Sequence, residues 1–576
     1  MNAKKNRDTL EGWGLIGESF ARAGVKYIFG VPGESISPVQ YAADKASIEV
    51  VTARHEQAAA FMAEAYARIT GNPGVVLVTF GPGFTNTISA MVNAQLTNAP
   101  VVLIAGAQGA KSPERLGLQD MHQEPIITSI VKKSLVCRKA ERIPEYIDMA
   151  FRCATGGCPG PVFLELPIDV LTAPVDRDLV NWTGASISSR PVDSNDAKKL
   201  VEMIESSERP IIIAGSGAYY SRAGRELTAF VNQVGIPVFT LKMGRGIIPD
   251  THPLCYGSSV PIIPGCAGMA VTVSDLVILL GTRLCMYTSN GTLFNQEAKI
   301  VQVDIEPEEI GRNRVIDLPI FADVRALLTE CGAIVSKRRI GDDLKHRFGS
   351  WVETLNVTHR EQKQLAEGEI PFDDVPINPG VLAREVDSFM DREDDIIVAD
   401  GGDAYTWIMV TRTCRGGANV LDTSLFGCLG VGLPYGLAAK LIKPDRRVLV
   451  HIGDGAIGFN FMEFETSLRR NLPIVVVIDN NRKWGMTSNS MKDKFGEYVP
   501  GTVEIGAVPY HEAVEALGGR GFLVEKAGDI RPTLEEAFSC GVTACVNVMT
   551  DPEVIGPGSK AMALLKQQEE LMKQQI

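Results

Sequence analysis

The sequence predicts an α/β fold built from three parallel-sheet units, and three observations carry that prediction. Ten short runs rich in β-branched residues are each followed by a helical pattern. The chain of 576 residues holds 56 Gly and 32 Pro, a composition suited to many short connections between elements. Two stretches interrupt the alternation and divide the chain. Continuous apolar strands alternating with helices mark parallel sheets covered on both faces.

Taken in order, the opening Met1-Asn2-Ala3-Lys4-Lys5-Asn6-Arg7 leads into an amphipathic segment, not a signal-peptide core. No run approaches 18 uncharged apolar residues, so no membrane association and a cytoplasmic location are expected. The first unit, 7–185, carries predicted strands at 75–80, 101–106 and 162–166. A linker is expected at about 176–196, where Asn181-Trp182-Thr183-Gly184 and Ser188-Ser189-Arg190-Pro191 break the pattern. The second unit, 196–338, carries strands at 211–215, 276–281 and 299–305. A charged stretch at about 336–378, ending in Pro371, Pro376 and Pro379, forms the second break. The third unit, 375–560, carries strands at 395–400, 447–452, 474–480 and 544–550. Residues 561–576 place Leu and Met at helical spacing among Lys, Gln and Glu, which predicts a C-terminal helix of unreadable role. At about 150 residues per domain, the length allows three or four domains.

Lys and Arg total 57 against 69 Asp and Glu, a net charge of −12, and no basic tract is present, so nucleic acid is not an expected partner. The 11 Cys contain no CxxC pair. The closest, Cys153 and Cys158, lack zinc-ligand spacing and nearby His, so the cysteines read as reduced core thiols.

The most informative segment is Gly453-Asp454-Gly455-Ala456 at a strand end, followed by a helix, a second strand and Asn480-Asn481. Glycines there let backbone N–H groups approach phosphate oxygens, and a helix N-terminus adds a favourable dipole. Asp454 and the Asn481 amide oxygen are hard ligands suited to Mg²⁺, which prefers a few protein oxygens together with phosphate and water.

This pair of motifs resembles the diphosphate- and metal-binding signature of thiamine diphosphate (ThDP) enzymes. The resemblance covers essentially the whole chain, in the order of the acetolactate synthase, benzaldehyde lyase and 2-hydroxyacyl-CoA lyase group. It implies three Rossmann-like domains: pyrimidine-binding, central and diphosphate-binding. It also implies that Asp454, Asn481 and the Lys483 carbonyl hold Mg²⁺, and that Gly453, Gly455 and Ala456 line the diphosphate.

Thr52-Ala53-Arg54-His55-Glu56-Gln57-Ala58-Ala59 reads by itself as a helix start with Glu56 at its favourable end. It also resembles the family segment whose glutamate bonds the cofactor aminopyrimidine. A carboxyl group donating to N1′ favours the imino tautomer, whose N4′ can take the thiazolium C2 proton. The resemblance thus makes Glu56 catalytic.

Further positions follow from the same likeness. Thr79, Pro82 and Asn86 match the pyrimidine-pocket loop. Gly427 matches the glycine whose carbonyl accepts from the 4′-amine, and Leu429 the apolar residue under the cofactor. Gly402 and Asp403 match positions near the cofactor, Asp403 being alternatively a helix cap. In the loop Asn481-Arg482-Lys483-Trp484-Gly485-Met486, Lys483, Trp484, Gly485 and Met486 face cofactor or substrate. The family places its cofactor between the first domain of one subunit and the last of another, which implies at least a homodimer, often a homotetramer.

The central unit has Gly turns near 215 and 281, with Arg283 and Asp304 as candidate nucleotide contacts. Relatives place FAD or ADP there, or nothing. On the substrate side, Gln119 matches the glutamine that orients an intermediate hydroxyl, and Ser35 stands where benzaldehyde lyase has a histidine. Ile168 replaces the lysine of acetolactate synthases, and Gly281-Thr282-Arg283-Leu284-Cys285 lacks their Phe-Asp. Of the seven His, His55 and His122 lie in motif segments, and His122 reads either as a proton-transfer group or as a structural residue. The resulting expectation is a C–C lyase or carboligase for 2-hydroxy ketones, aldehydes or 2-hydroxyacyl-CoA. The alternative is a 2-oxo acid or oxalyl-CoA decarboxylase, including acetolactate synthase-like chemistry.

Overall fold

The structure, a computed structural model, describes residues 9–109, 115, 117–182, 184, 189–260, 265–368, 371–372, 374–417, 419–561 and 563–564. It contains three six-stranded sheets, all parallel.

The first sheet has β1 (Tyr27–Gly30), β2 (Glu49–Thr52), β3 (Gly74–Val78), β4 (Val101–Ala107), β5 (Lys133–Val136) and β6 (Val162–Pro167), in the order β2-β1-β3-β4-β6-β5. The second has β7 (Pro210–Ala214), β8 (Val238–Thr240), β9 (Cys255–Ser258), β10 (Leu276–Leu280), β11 (Lys299–Asp304) and β12 (Leu318–Phe321), in the order β9-β8-β7-β10-β11-β12. The third has β13 (Ile396–Asp400), β14 (Val420–Asp422), β15 (Val448–Gly453), β16 (Val475–Asn480), β17 (Arg520–Val524) and β18 (Ala544–Met549), in the order β14-β13-β15-β16-β18-β17. Every residue of β3, β7, β10, β13 and β16 is buried, which is why these strands read as uninterrupted apolar runs.

Each sheet reverses its winding near its middle: between β1 and β3, between β7 and β10, and between β13 and β15. In doubly wound sheets, ligands bind outside the carboxyl ends of the strands at this reversal. The register of the third sheet sets Asp400 beside Ile452 and Gly453 beside Asp479, so Asp400, Asp479 and Asp454, which follows Gly453, come close to level.

The three sheets are distributed over two compact units. One takes in the chain up to Ser188 together with Thr423–Pro444 and Asn460–Leu472. The other takes in Ser189–Asp422, Asp445–Phe459 and the chain from Pro473. In the first, the helix Gly432–Ile442 packs along the helix Glu56–Thr70 through contacts such as Phe61 with Tyr435.

The charged break at 336–378 is mostly the 28-residue helix Gly341–Gly368, not an open connection. Phe348, Trp351 and Leu355 bury one side of it against the second sheet's core, while charged residues face outward. In the expected linker at 176–196, Pro174–Asp176 pairs antiparallel with Thr9–Glu11, and the helix Ser194–Ser206 begins before the stretch ends. Residues 557–561 and 563–564 are helical, and the rest of the predicted C-terminal helix lies outside the described residues. No helix among the described residues is long and apolar enough to cross a membrane.

Candidate functional site

Two groups of the residues singled out in the sequence stand at sheet reversals. At the first sheet, Glu56 opens the helix Glu56–Thr70 after the extended residue His55, whose Nδ1 accepts from Gln57 N at 3.1 Å. His55 is thus an N-cap. The carboxylate of Glu56 lies half-buried at the positive helix end, and Asn86 Nδ2 donates to its Oε2 at 2.9 Å. Gly83 leaves open the space beside the other oxygen, Oε1, where a Cβ would come within 3.5 Å. Pro82 is exposed at the start of the short helix Pro82–Thr85 that carries Asn86.

A polar chain runs from the same loop. Thr79, at the end of β3, shares a 2.8 Å hydrogen bond with Ser35 Oγ, and its hydroxyl donates to Gln119 Oε1 at 3.3 Å. Gln119 is held over Gly81, where a Cβ would meet the Gln119 carbonyl at 2.5 Å, and Gly81 itself has φ +67°. Only glycine meets both conditions there. Ser35, Thr79 and Gln119 come together as one hydrogen-bonded set, while His122 is exposed on the following turn.

At the third sheet, Asp454 follows β15 and is 3% exposed. Its Oδ1 accepts from Gly455 N at 2.9 Å, and its Oδ2 is buried without a hydrogen-bond partner among the described residues. Burial and the Asp479 carboxylate beside it push the Asp454 carboxyl up to about 7. Burial likewise raises Asp479, which accepts from Thr550 Oγ1. A buried carboxylate oxygen lacking a donor is costly unless a cation meets it. The donor set of Asp454 Oδ2, the Asn481 amide and a backbone carbonyl fits a hard cation such as Mg²⁺. No group of three His, Cys, Asp or Glu among the described residues could hold a metal, so a metal here must rely on such amide and carbonyl oxygens.

The loop after β16 is built to hold these atoms. Arg482 has φ +64°, Asn481 Oδ1 accepts from Lys483 N at 3.2 Å, and Trp484 N donates to Val503 O at 2.8 Å. Trp484 covers Gly455, where a Cβ would fall 2.5 Å from the ring. Gly485 lies against the Asn481 amide, and Met486 closes over Gly402. Gly453 ends β15 and Ala456 is buried in the turn that follows. The Lys483 side chain points away, to Glu553 at 3.1 Å. Asp403 starts the helix Asp403–Thr411, and its carboxylate accepts from Ser559 Oγ at 3.0 Å and from Asn489 Nδ2 at 3.3 Å.

Gly427 and Leu429 stand in the loop before the helix Gly432–Ile442, and Gly427 has φ +69°. Two side groups anchor that loop. Cys428 Sγ contacts Ser89 O at 3.7 Å, and Asn460 Nδ2 donates to Gly430 O at 2.8 Å.

At the central sheet the glycine turns bond within the protein. At its reversal, Gly215 N donates to Leu280 O, Gly217 N to Gly281 O and Gly281 N to Val303 O, so these N–H groups are spent inside the protein. Arg283 pairs with Glu309 at 3.3 Å, and Asp304 accepts from Glu306 N at 2.9 Å. These three glycine N–H groups, with Arg283 and Asp304, are thus engaged by protein partners among the described residues.

The sequence reading missed Glu463, Asn460, Ser559 and Glu553. Nothing local marks them, because each acts on a partner at least 70 positions away, or on the adjoining segment of such a partner.

Comparison with known proteins accords with this arrangement. Residues 14–126 match the N-terminal TPP binding domain of thiamine pyrophosphate enzymes, 197–331 their central domain and 400–548 their C-terminal TPP binding domain. A "Probable acetolactate synthase" of Mycobacterium bovis is 29% identical over 96% of this chain and 98% of its own length. A "Probable acetolactate synthase large subunit" of Methanococcus aeolicus is 31% identical over 93% and 92%. A "2-hydroxyacyl-CoA lyase" of Arabidopsis thaliana is 29% identical over 94% and 96%.

Proposed function

The chain belongs to the thiamine pyrophosphate enzyme family, and from that premise we propose that it is a ThDP- and Mg²⁺-dependent C–C lyase or carboligase. Its substrates are 2-hydroxy ketones, aldehydes or 2-hydroxyacyl-CoA thioesters. The observation that carries this reading is the Ser35–Thr79–Gln119 set, whose Thr79 stands on the same loop as Asn86, the partner of Glu56.

When bound, ThDP supplies a carbon nucleophile and an acceptor for the electron pair of the broken C–C bond, with Mg²⁺ anchoring its diphosphate. Asp454 and Asn481, with the Lys483 carbonyl, hold the cation. Asn86 fixes Glu56 Oε2 as an acceptor, which leaves Oε1 to carry the proton that passes to and from the aminopyrimidine. Gln119 accepts from Thr79 through its oxygen, and its Nε2 is then the donor aimed at a substrate hydroxyl or carbonyl oxygen. Ser35 fixes the Thr79 hydroxyl from the other side. The central sheet is read as a packing body, because its glycine-loop N–H groups are committed. The active species is at least a homodimer, on the family resemblance.

A second reading, decarboxylation of a 2-oxo acid or oxalyl-CoA, including acetolactate synthase-like chemistry, is favoured by the names of relatives at 29% and 31% identity. Ile168 in place of the family lysine stands against it. Replacing Glu56 with Gln tests the shared core of both readings. The variant should fold and bind ThDP yet exchange the cofactor C2 proton at least 100-fold more slowly, within the range of general-base effects. Exchange at the wild-type rate would remove Glu56 from the chemistry.

A further inference from the structure

Glu56 is held from behind by a segment that lies, in sequence, between the two halves of the metal motif. We propose that Glu463 is a positioning residue for Glu56, its carboxylate fixing the turn from which the catalytic carboxyl projects. This inference rests on the reading of Glu56 as the cofactor-activating group.

Asn460–Leu472 packs in the same compact unit as the Glu56 helix, although Asp454 precedes it and Asn481 follows it. Glu463 is 1% exposed. Its Oε1 accepts from the backbone N of Arg54, two residues before Glu56, at 2.9 Å. Its Oε2 accepts from Thr466 Oγ1 at 2.6 Å. Burial raises the Glu463 carboxyl, and the donors at Arg54, His55 and Thr466 work against that shift. The neighbours of Glu463 hold both sides of the same turn. Arg469 donates to Thr52 O and Thr52 Oγ1, both at 3.0 Å. Asn460 Nδ2 reaches Gln57 Oε1 at 3.5 Å and Gly430 O at 2.8 Å. Residues 52, 54 and 57 are thus tied to one short segment, and the Glu56 carboxyl between them is free to serve the cofactor with Asn86 as its side-chain partner.

A buried carboxylate is a costly way to hold a backbone amide, and an apolar residue would pack there more cheaply. What the carboxylate adds is direction. Displacing a catalytic group by about 1 Å can cost on the order of 100-fold in rate. Gln at this position keeps an acceptor for Arg54 N and can donate to Thr466, whereas Ala keeps neither.

The test is C2 proton–deuterium exchange of ThDP bound to the full-length protein at saturating ThDP and Mg²⁺, with ThDP affinity and thermal midpoint measured alongside. Glu463→Ala should slow exchange at least 10-fold while ThDP affinity stays within threefold, and Glu463→Gln should exchange within threefold of wild type. A folded Glu463→Ala protein exchanging at the wild-type rate would overturn the proposal, as would equal slowing in both variants. If Glu463→Ala does not fold, Glu463→Met fills the same volume without an acceptor and carries the same two outcomes. Glu56→Gln, measured in parallel, separates the two levels. Wild-type exchange in Glu56→Gln brings down the reading of Glu56. Slow exchange there with wild-type exchange in Glu463→Ala brings down the positioning role alone.

Discussion

Gln119 has φ +63°, a left-handed backbone that a residue with a Cβ adopts at a cost of about 1–2 kcal/mol. That cost is met by its carbonyl packing on Gly81 and its amide oxygen taking the Thr79 hydroxyl. Strain of this kind tends to be kept where a side chain must point somewhere in particular. On the proposed role, Gln119→Ala would remove one hydrogen bond to substrate and leave the cofactor contacts in place. It should lower kcat/KM for a 2-hydroxy substrate by about 5- to 100-fold, the cost of leaving a buried partner unsatisfied at roughly 1–3 kcal/mol. The C2 exchange rate should stay at the wild-type value, so comparing steady-state rates with exchange checks the assignment. Residues such as Gln119 and Glu56 were legible in the sequence because their neighbours carry family-like motifs. Glu463 was not, since its role depends on Arg54, over 400 positions away.

The strands show the same division between local and distant information. All ten strands read from the sequence exist within one or two residues, and they fill the middle of each sheet, where both faces are covered. The strands missed in these three sheets are the edges β2, β5, β9, β12, β14 and β17 and their neighbours β1 and β8, besides the small pair Thr9–Glu11 and Pro174–Asp176. These are three to five residues long, and β2, β5, β9, β12 and β17 mix buried with partly or fully exposed positions, which blurs an apolar run. The common strand order of the first and third sheets was also invisible, because topology constrains spacing and burial, not residue identity.

His451 makes a further point at this scale. It lies in β15 between β13 and β16, fully buried, with neither ring nitrogen hydrogen-bonded, and burial lowers its pKa to about 3. The unfolded chain binds a proton near pH 6.5 that the folded chain refuses until about pH 3. Stability contributed by the neutral ring is therefore present above pH 6.5 and lost as pH falls through that window, by about 1.4 kcal/mol per unit. His451→Leu should flatten this dependence, seen as a smaller drop in the urea unfolding midpoint between pH 6.5 and 4.5. An unchanged drop would exclude His451 as its source.

For the whole molecule, the residues of the proposed chemistry are divided between the two compact units. Glu56, Thr79, Gln119 and Leu429 belong to one, and Asp454, Asn481 and Trp484 to the other. If the family arrangement of cofactors shared between subunits holds, specific activity should fall on dilution in step with the dimer fraction measured by sedimentation, and excess ThDP with Mg²⁺ should oppose the loss by mass action. Activity independent of dilution into a monomeric range would contradict a shared site. The net charge of −12 is compatible with binding an anionic cofactor, because on the proposed reading the anion would meet a cation and backbone N–H groups at a strand end, with no basic surface required. The most direct test of the account is a product assay with the ThDP- and Mg²⁺-loaded protein given benzoin, a 2-hydroxyacyl-CoA, pyruvate and oxalyl-CoA in separate reactions. The account predicts aldehyde from benzoin or the 2-hydroxyacyl-CoA, and no CO₂ from pyruvate or oxalyl-CoA. CO₂ from either acid, with no aldehyde from the hydroxy substrates, would contradict it.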